Sequence, residues 1–503
     1  MSAPPLRLAT LDADLAASAA ELRRDLADPE GRVARSRRLV EAALADGRAH
    51  YGLNTGFGAL KSERIDAADA AELQLNLLRS HAVGVGAPVA PEIARRMVAL
   101  KAHALGLGVS GVQPAVVAAL LDWLDAGLAP VVPEQGSLGA SGDLAPLAHL
   151  ALPLLGEGEM WVGGARRPAG EALHEAGLAP VRLGPKDGLA LINGTQFMQA
   201  VGAEALGRAR TLADTADVLA AMTLEAARGS YRPFDARLHA ARPHPGAVAV
   251  AQAVRRLVEG SEIGPSHADC GKVQDPYSIR CVPAVHGASR DALAYAEGSV
   301  EIELGSVTDN PLVFDDAGAP DLLSGGNFHG QPLALAFDTA SVAVAELASL
   351  SERRAYLLLD GHDALPPFLV AEPGLSSGFM MVQYTAAALV SENKTLCHPA
   401  SVDSIPSSRG QEDHVSMGAW GARKLLRVVE NVEHVLAVEA LCAAQALDFR
   451  LPLRPGRGVR AAWEQVRARV PFRRRDAGFT DDLAAALDLV RSGALGDAAR
   501  TAA

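Results

Sequence analysis

The sequence predicts an all-α protein built on a bundle of long helices. Two observations carry that expectation. Apolar residues recur at three- and four-residue steps over segments far too long for strands. Alternating apolar and polar runs, the mark of half-buried strands, are scarce. Ile93 to Leu105 is the first periodic segment and Val201 to Arg228 a longer second one. Pro332 opens a third that runs past Ser341 to about Leu359; proline suits a first helical position because the N–H it lacks would have no partner there. In the fourth, Leu425, Val428, Val429, Val432, Val435 and Leu436 share one face of a stretch free of proline and glycine, from Ala422 to Arg450. All four are rich in alanine, which lets helices approach closely. Met160-Trp161-Val162-Gly163 and Leu312-Val313-Phe314 are the exceptions and read as short hairpin pieces. We expect one integrated globular unit. Residues 1–200 form its loop-rich N-terminal region and residues 201–503 its long helical bundle with a C-terminal helical region. No linker, low-complexity tract or internal repeat interrupts it.

Composition narrows the function. Against 47 Lys and Arg stand 59 Asp and Glu, a net charge of −12, which argues against nucleic acid or an anionic membrane as a partner. One stretch departs from this: Arg454, Arg457, Arg460, Arg467, Arg469 and Arg473 to Arg475 crowd the segment from Arg450 to Arg475. A solvated or subunit-contacting surface is the favoured reading, with anion binding as the other. Cys270, Cys281, Cys397 and Cys442 form no Cys-x-x-Cys, and no His/Cys pair has a metal-ligand spacing, so we expect no metal and a reduced compartment. The N-terminus, Met1-Ser2-Ala3-Pro4-Pro5, leads into residues broken by Asp12, Asp14 and Glu21. It has no apolar core of the signal-peptide kind. The longest uncharged run, about Pro373 to Ser391, carries proline, glycine and serines and suits a membrane span poorly. A cytoplasmic protein is expected.

The chemistry concentrates in Gly139-Ala140-Ser141-Gly142-Asp143. A small-Ser-Gly triplet can cyclise on itself. The Gly142 amide nitrogen attacks the Ala140 carbonyl carbon, water leaves, and loss of the Ser141 hydroxyl yields an exocyclic methylene. The product, methylidene-imidazolone, is an electrophile made without any diffusible cofactor, a type of group that ordinary side chains do not supply. Glycine is needed at the third position because the nitrogen must reach a carbonyl two residues back. A bare Ala-Ser-Gly is more often a turn in which Ser141 or Asp143 caps a helix. Two other matches fail on context. Gly106-Leu107-Gly108-Val109-Ser110-Gly111 fits a dinucleotide-binding loop but follows a helical pattern, not a strand. Gly374-Leu375-Ser376-Ser377-Gly378 fits a nucleophile elbow but follows Glu372-Pro373.

The string from Gly139 to His149 resembles the aromatic amino acid ammonia-lyase family. Further segments carry the resemblance in family order: Tyr51 to Gly58, Asn76 to His81, Asn193 to Gln196, and Gln274 to Arg280. Thr308 to Pro311, Gly325 to His329 and Ser404 to His414 complete it, so that it spans about residues 45 to 450. It implies an all-α fold of the ammonia-lyase/fumarase-like type and a ring formed from Ala140, Ser141 and Gly142. It also implies a homotetramer whose sites each draw loops from three subunits. Tyr51 becomes the expected base for the substrate β-proton, with Tyr277 assisting. A phenol of ordinary pKa is a poor base at neutral pH, so the site is expected to lower the Tyr51 value. Arg280 has the planar fork that binds a substrate carboxylate. Asn193 and Gln274 can donate amide hydrogen bonds to the ring oxygen or to substrate. Phe328 is the aromatic expected to screen the ring from water. His81 and Glu412 are polar groups that an apolar aromatic substrate cannot satisfy. In the family a carboxylate at the Glu412 place accompanies imidazole substrates, which points to L-histidine. A tyrosine or phenylalanine ammonia-lyase, or a 2,3-aminomutase, is the alternative. Arg409 departs from the small or amide residues usual there and could lie near Glu412 and partly neutralise it.

Overall fold

The computed structural model describes residues 5–56, 58–66 and 69–503. Met1 to Pro4, within the segment read for a signal peptide, and Phe57 of the Tyr51–Gly58 motif lie outside the described residues. The protein is mainly helical, and its four longest helices are Gln196–Ala226, Val282–Leu304, Gln331–Leu359 and Gly418–Asp448. Three of them coincide with the periodic segments. Gly418–Asp448 begins four residues before Ala422, running back through Gly421, because packing outweighs the cost of about 1 kcal/mol that glycine brings to a helix interior. Val282–Leu304 is a long helix that the periodicity did not mark. Both expected hairpins are present: Glu159–Val162 pairs antiparallel with Ala165–Pro168, and Leu312–Asp316 with Ala319–Leu323.

The chain divides into two compact units that interleave along the sequence. The first takes Met1–Glu204, Glu297–Asp338 and Pro399–Arg423; the second takes Ala205–Ala296, Thr339–His398 and Lys424–Ala503.

In the first unit, helices Leu11–Ala27, Pro91–Gly106 and Pro114–Asp125 pack through Leu15, Leu22, Met97, Leu105, Val117 and Leu121, all buried. Gly106 to Gly111 is the turn between the second and third of these, with no strand before it. Leu53 packs with Val40, Ala43 and Val313, which pins the loop after Tyr51 between helix Arg32–Ala45 and the Leu312 hairpin. That loop closes on itself, since the Asn54 side chain accepts from the His50 amide at 2.7 Å and Gly56 N–H donates to the Glu63 carbonyl at 2.9 Å.

In the second unit, Leu425, Val428, Val429, Val432, Val435 and Leu436 are all buried, as their spacing required. The same interior holds a charged network. Arg354 forms a two-pronged pair with Glu439 at 2.5 and 2.7 Å, and its third nitrogen faces His286 Nε2 at 3.2 Å. His286 Nδ1 in turn lies 2.7 Å from Asp217. Buried charges are tolerated here because each is matched and hydrogen-bonded. The arginines of the basic stretch mostly meet carboxylates: Arg454 pairs with Glu262 in solvent, as a solvated surface would have it, whereas Arg467 with Asp448 and Arg473 with Asp482 are largely buried and tie the segment to the unit's interior. Gly374 to Gly378 forms a loop whose Ser377 and Gly378 amides donate to Asp476, and no strand leads into it.

Candidate active site

Ala140-Ser141-Gly142 sits in a turn that needs glycine and a left-handed serine. Gly139, Ser141 and Gly142 have φ of 89°, 52° and 81°. A Cβ on Gly142 would stand 2.1 Å from the Gly194 carbonyl oxygen, so that position admits glycine alone. Gly194 is what the turn is stitched to. Its carbonyl accepts from Asp143 N–H at 2.7 Å and its amide donates to the Ser141 carbonyl at 3.5 Å. Asp143 opens helix Leu144–Ala151, yet its side chain does not cap that helix. Instead its carboxylate accepts from the Met198 amide at 3.0 Å, in the first turn of helix Gln196–Ala226. Complete burial raises the Asp143 pKa to about 7, with the Met198 bond acting the other way.

Ala140 and Ser141 line a cavity of about 720 Å³ together with Tyr51, Asn193, Phe328 and Glu412. A second cavity of about 530 Å³ is walled by Leu60, Ile65, Leu73, Leu77, Leu144 and Ile192 and reaches His81. Tyr51, Ser141, Asn193 and Glu412 border both. The first cavity is the more polar of the two, with Asn310, His329, Asp413 and His414 in its wall. The Leu312 hairpin serves this site: it begins just after Asn310 and ends just before Ser324 and Gly325, and Asn310 Oδ1 accepts from the Gly325 amide at 2.8 Å.

Glu412 is carried by a tight loop in which Ser407 and Glu412 pair backbone to backbone, and the Ser407 hydroxyl donates to the Glu412 carboxylate at 2.6 Å. Arg409 lies at the exposed tip with φ of 55° and, among the described residues, makes no ion pair with Glu412. The expected neutralisation is absent because the turn points this residue to solvent. His81 ends helix Ala70–His81; burial pulls its pKa down, while the Leu77 carbonyl and the charge on Glu412 pull it up. The Gly58 amide donates to the Tyr51 hydroxyl at 3.4 Å. The expected lowering of the Tyr51 pKa is not found within the chain. Burial first, and the Glu412 charge besides, hold the phenol above its ordinary value, with the Gly58 bond opposing them.

Of the expected site residues, Ala140, Ser141, Gly142, Tyr51, His81, Asn193, Phe328 and Glu412 thus gather in the first unit. Gln274, Tyr277 and Arg280 belong to the second unit and are not among the residues lining either cavity. Tyr277 is 69% exposed, with the Arg280 guanidinium stacked 4.5 Å over its ring. The Arg280 Nε donates to the Asp275 carbonyl at 3.1 Å. The sequence reading missed Lys101 and gave Asp143 only a capping role. Lys101 is an unremarked lysine in a periodic helix, and nothing local marks it. Among the described residues no cluster of three or more His, Cys, Asp or Glu could hold a metal ion.

A mainly helical scaffold presenting a left-handed Ala-Ser-Gly turn beside two adjoining cavities defines the class. The sequence profile of the aromatic amino acid lyase family matches residues 13–468, and the chain belongs to that family. A histidine ammonia-lyase of Anaeromyxobacter sp. (strain K) is 56% identical over 474 residues, which is 92% of this chain and 93% of that protein. The crystal structure of histidine ammonia-lyase from Trypanosoma cruzi superposes with a TM-score of 0.87 at 44% identity, covering 95% of this chain and 89% of that one. Tyrosine aminomutase from Streptomyces globisporus superposes with a TM-score of 0.91 at 37% identity, covering 100% and 98%.

Proposed function

We propose that this chain is a histidine ammonia-lyase, which deaminates L-histidine without oxidation to trans-urocanate and ammonia, the first step of histidine degradation. It is a carbon–nitrogen lyase. The observation that carries the substrate is the place of Glu412, whose carboxylate borders both cavities and whose charge acts on Tyr51 and His81 alike. A carboxylate and an imidazole facing one chamber suit a substrate ring with its own N–H, and phenylalanine would leave the half-buried Glu412 charge without a substrate partner. The extensive identity to histidine ammonia-lyases supports the same choice.

The residues fit a methylidene-imidazolone made from Ala140, Ser141 and Gly142, because the turn brings backbone groups of a left-handed serine and an obligatory glycine together. When formed, that ring supplies an electrophile and so divides a difficult elimination. Tyr51 takes the β-proton in this reading. Burial and the Glu412 charge raise its pKa, so a cation or donor that opposes them in the assembled, occupied site would make it a better base. Asn193 offers amide donors beside Ser141, and Phe328 limits water in the same chamber. Glu412 accepts from the substrate imidazole.

Gln274, Tyr277 and Arg280 fit this scheme as residues given to a neighbouring copy in a homotetramer. An exposed tyrosine under an arginine fork is otherwise without a purpose in the isolated chain. Arg280 then binds the substrate carboxylate in a site whose Tyr51 comes from another subunit. Mixing and reassembling inactive Tyr51→Phe and Arg280→Ala chains should restore a measurable fraction of activity, read as turnover after joint refolding. No recovery, with tetramers reformed, places both residues in one chain's site. A cytoplasmic location accords with the four cysteines, all free thiols.

Incubating the purified protein with L-histidine and following urocanate absorbance tests the reading. The second reading, a tyrosine or phenylalanine ammonia-lyase or 2,3-aminomutase, draws on the likeness to tyrosine aminomutase. A cinnamate or a β-amino acid in place of urocanate would establish it.

A further inference from the structure

Lys101 is 1% exposed, on helix Pro91–Gly106. Its ammonium donates to two main-chain oxygens, that of Asn193 at 2.6 Å and that of Ala190 at 3.1 Å. These lie at the C-terminal end of helix Asp187–Ile192, where carbonyls lack intrahelical partners and a cation is favoured. On the other side of the same strand of chain, Gly194 makes its two bonds to Ser141 and Asp143. The space around Gly194 is full: a Cβ there would stand 2.5 Å from Gln196 Oε1 and 3.2 Å from Lys101 Nζ. Asp143, Lys186 and Asp309 are buried as well, and Lys186 pairs with Asp309 at 2.5 Å. Burial pulls the Lys101 pKa down to about 7, with the Asp309 charge pulling it up, Lys186 down, and Asp143 up. An ammonium in such a place costs free energy that hydrocarbon would not. What it supplies instead is a clamp on Asn193 and Gly194.

We propose that Lys101 is a positioning residue for ring closure: through the Asn193-Gly194 backbone it holds Ser141 and Gly142 in the turn from which the Gly142 nitrogen reaches the Ala140 carbonyl. The inference rests on the cyclisation reading of Ala140-Ser141-Gly142. In that step the Gly142 N to Ala140 C bond forms. The Ala140 oxygen departs as water with one proton from each of the Gly142 and Ser141 nitrogens. A second water takes the Ser141 hydroxyl and its α-proton. No electrons enter or leave, and Lys101 moves no proton.

The test is the intact mass of folded wild type, Lys101→Met and Lys101→Arg. Wild type should be two waters lighter than its encoded mass. In folded K101M the fraction of such chains should fall about tenfold or more, the scale of a lost charge-assisted hydrogen bond. K101R, which keeps the donors, should restore most of it. Turnover number should fall with that fraction while KM stays at the wild-type value, since only cyclised chains work. A folded K101M with the full mass deficit overturns the inference. An unmodified wild type overturns the cyclisation reading instead. Should K101M not fold, Lys101→Gln is measured in the same way, and complete ring formation in folded K101Q overturns the inference equally.

Discussion

Replacing Ser141 by alanine is expected to give a folded protein with its turnover of L-histidine reduced by at least about a thousandfold, the scale seen when a covalently acting group is removed. Alanine has no hydroxyl to lose, so no methylene can form. The fold should hardly notice. Ser141 already occupies the left-handed region at φ 52°. Alanine at that angle adds at most about 1–2 kcal/mol of strain over glycine, a cost serine largely bears already. The variant should therefore melt like wild type and show the unmodified mass at residue 141. Substantial turnover by Ser141→Ala would remove the ring from the mechanism.

Glu412→Gln should lower kcat/KM for L-histidine by roughly ten- to two-hundred-fold while leaving ring formation complete. Glutamine keeps the shape and can still accept from Ser407, whose hydroxyl now lies 2.6 Å from the carboxylate. It loses the charge, and with it a charge-assisted bond worth about 1.5–3 kcal/mol. Each 1.4 kcal/mol or so is a factor of ten in rate. Residual activity on phenylalanine or tyrosine, which offer no imidazole, should fall much less. Kinetics on all three substrates with both proteins decide it. Equal fractional loss on each would take Glu412 out of substrate choice and weaken the histidine reading itself.

How far the sequence reached differs between the two halves of the problem. Three of the four longest helices were legible because a 3.6-residue period is a local property, and the two hairpins because alternation is too. Val282–Leu304 was not marked, and its two glycines do not explain why, since Gln196–Ala226 carries Gly202 and Gly207 as well. The ring triplet was legible because its chemistry lies within three adjacent residues. The family resemblance supplied Tyr51, His81, Asn193, Phe328 and Glu412, and the structure gathers them around Ser141.

What the sequence determined by itself is the helical architecture and a tripeptide whose composition allows cyclisation, both set by neighbours in the chain. Tertiary structure alone decided what holds that tripeptide and how its partners titrate. Lys101 meets Asn193 across 92 residues, and Asp143 meets Met198 across 55. Neither pairing leaves a periodic trace, because it depends on where two helices end in space. The Tyr51 pKa moves upward rather than down for the same reason: burial and the Glu412 carboxylate, brought by a distant loop, outweigh anything its own segment provides.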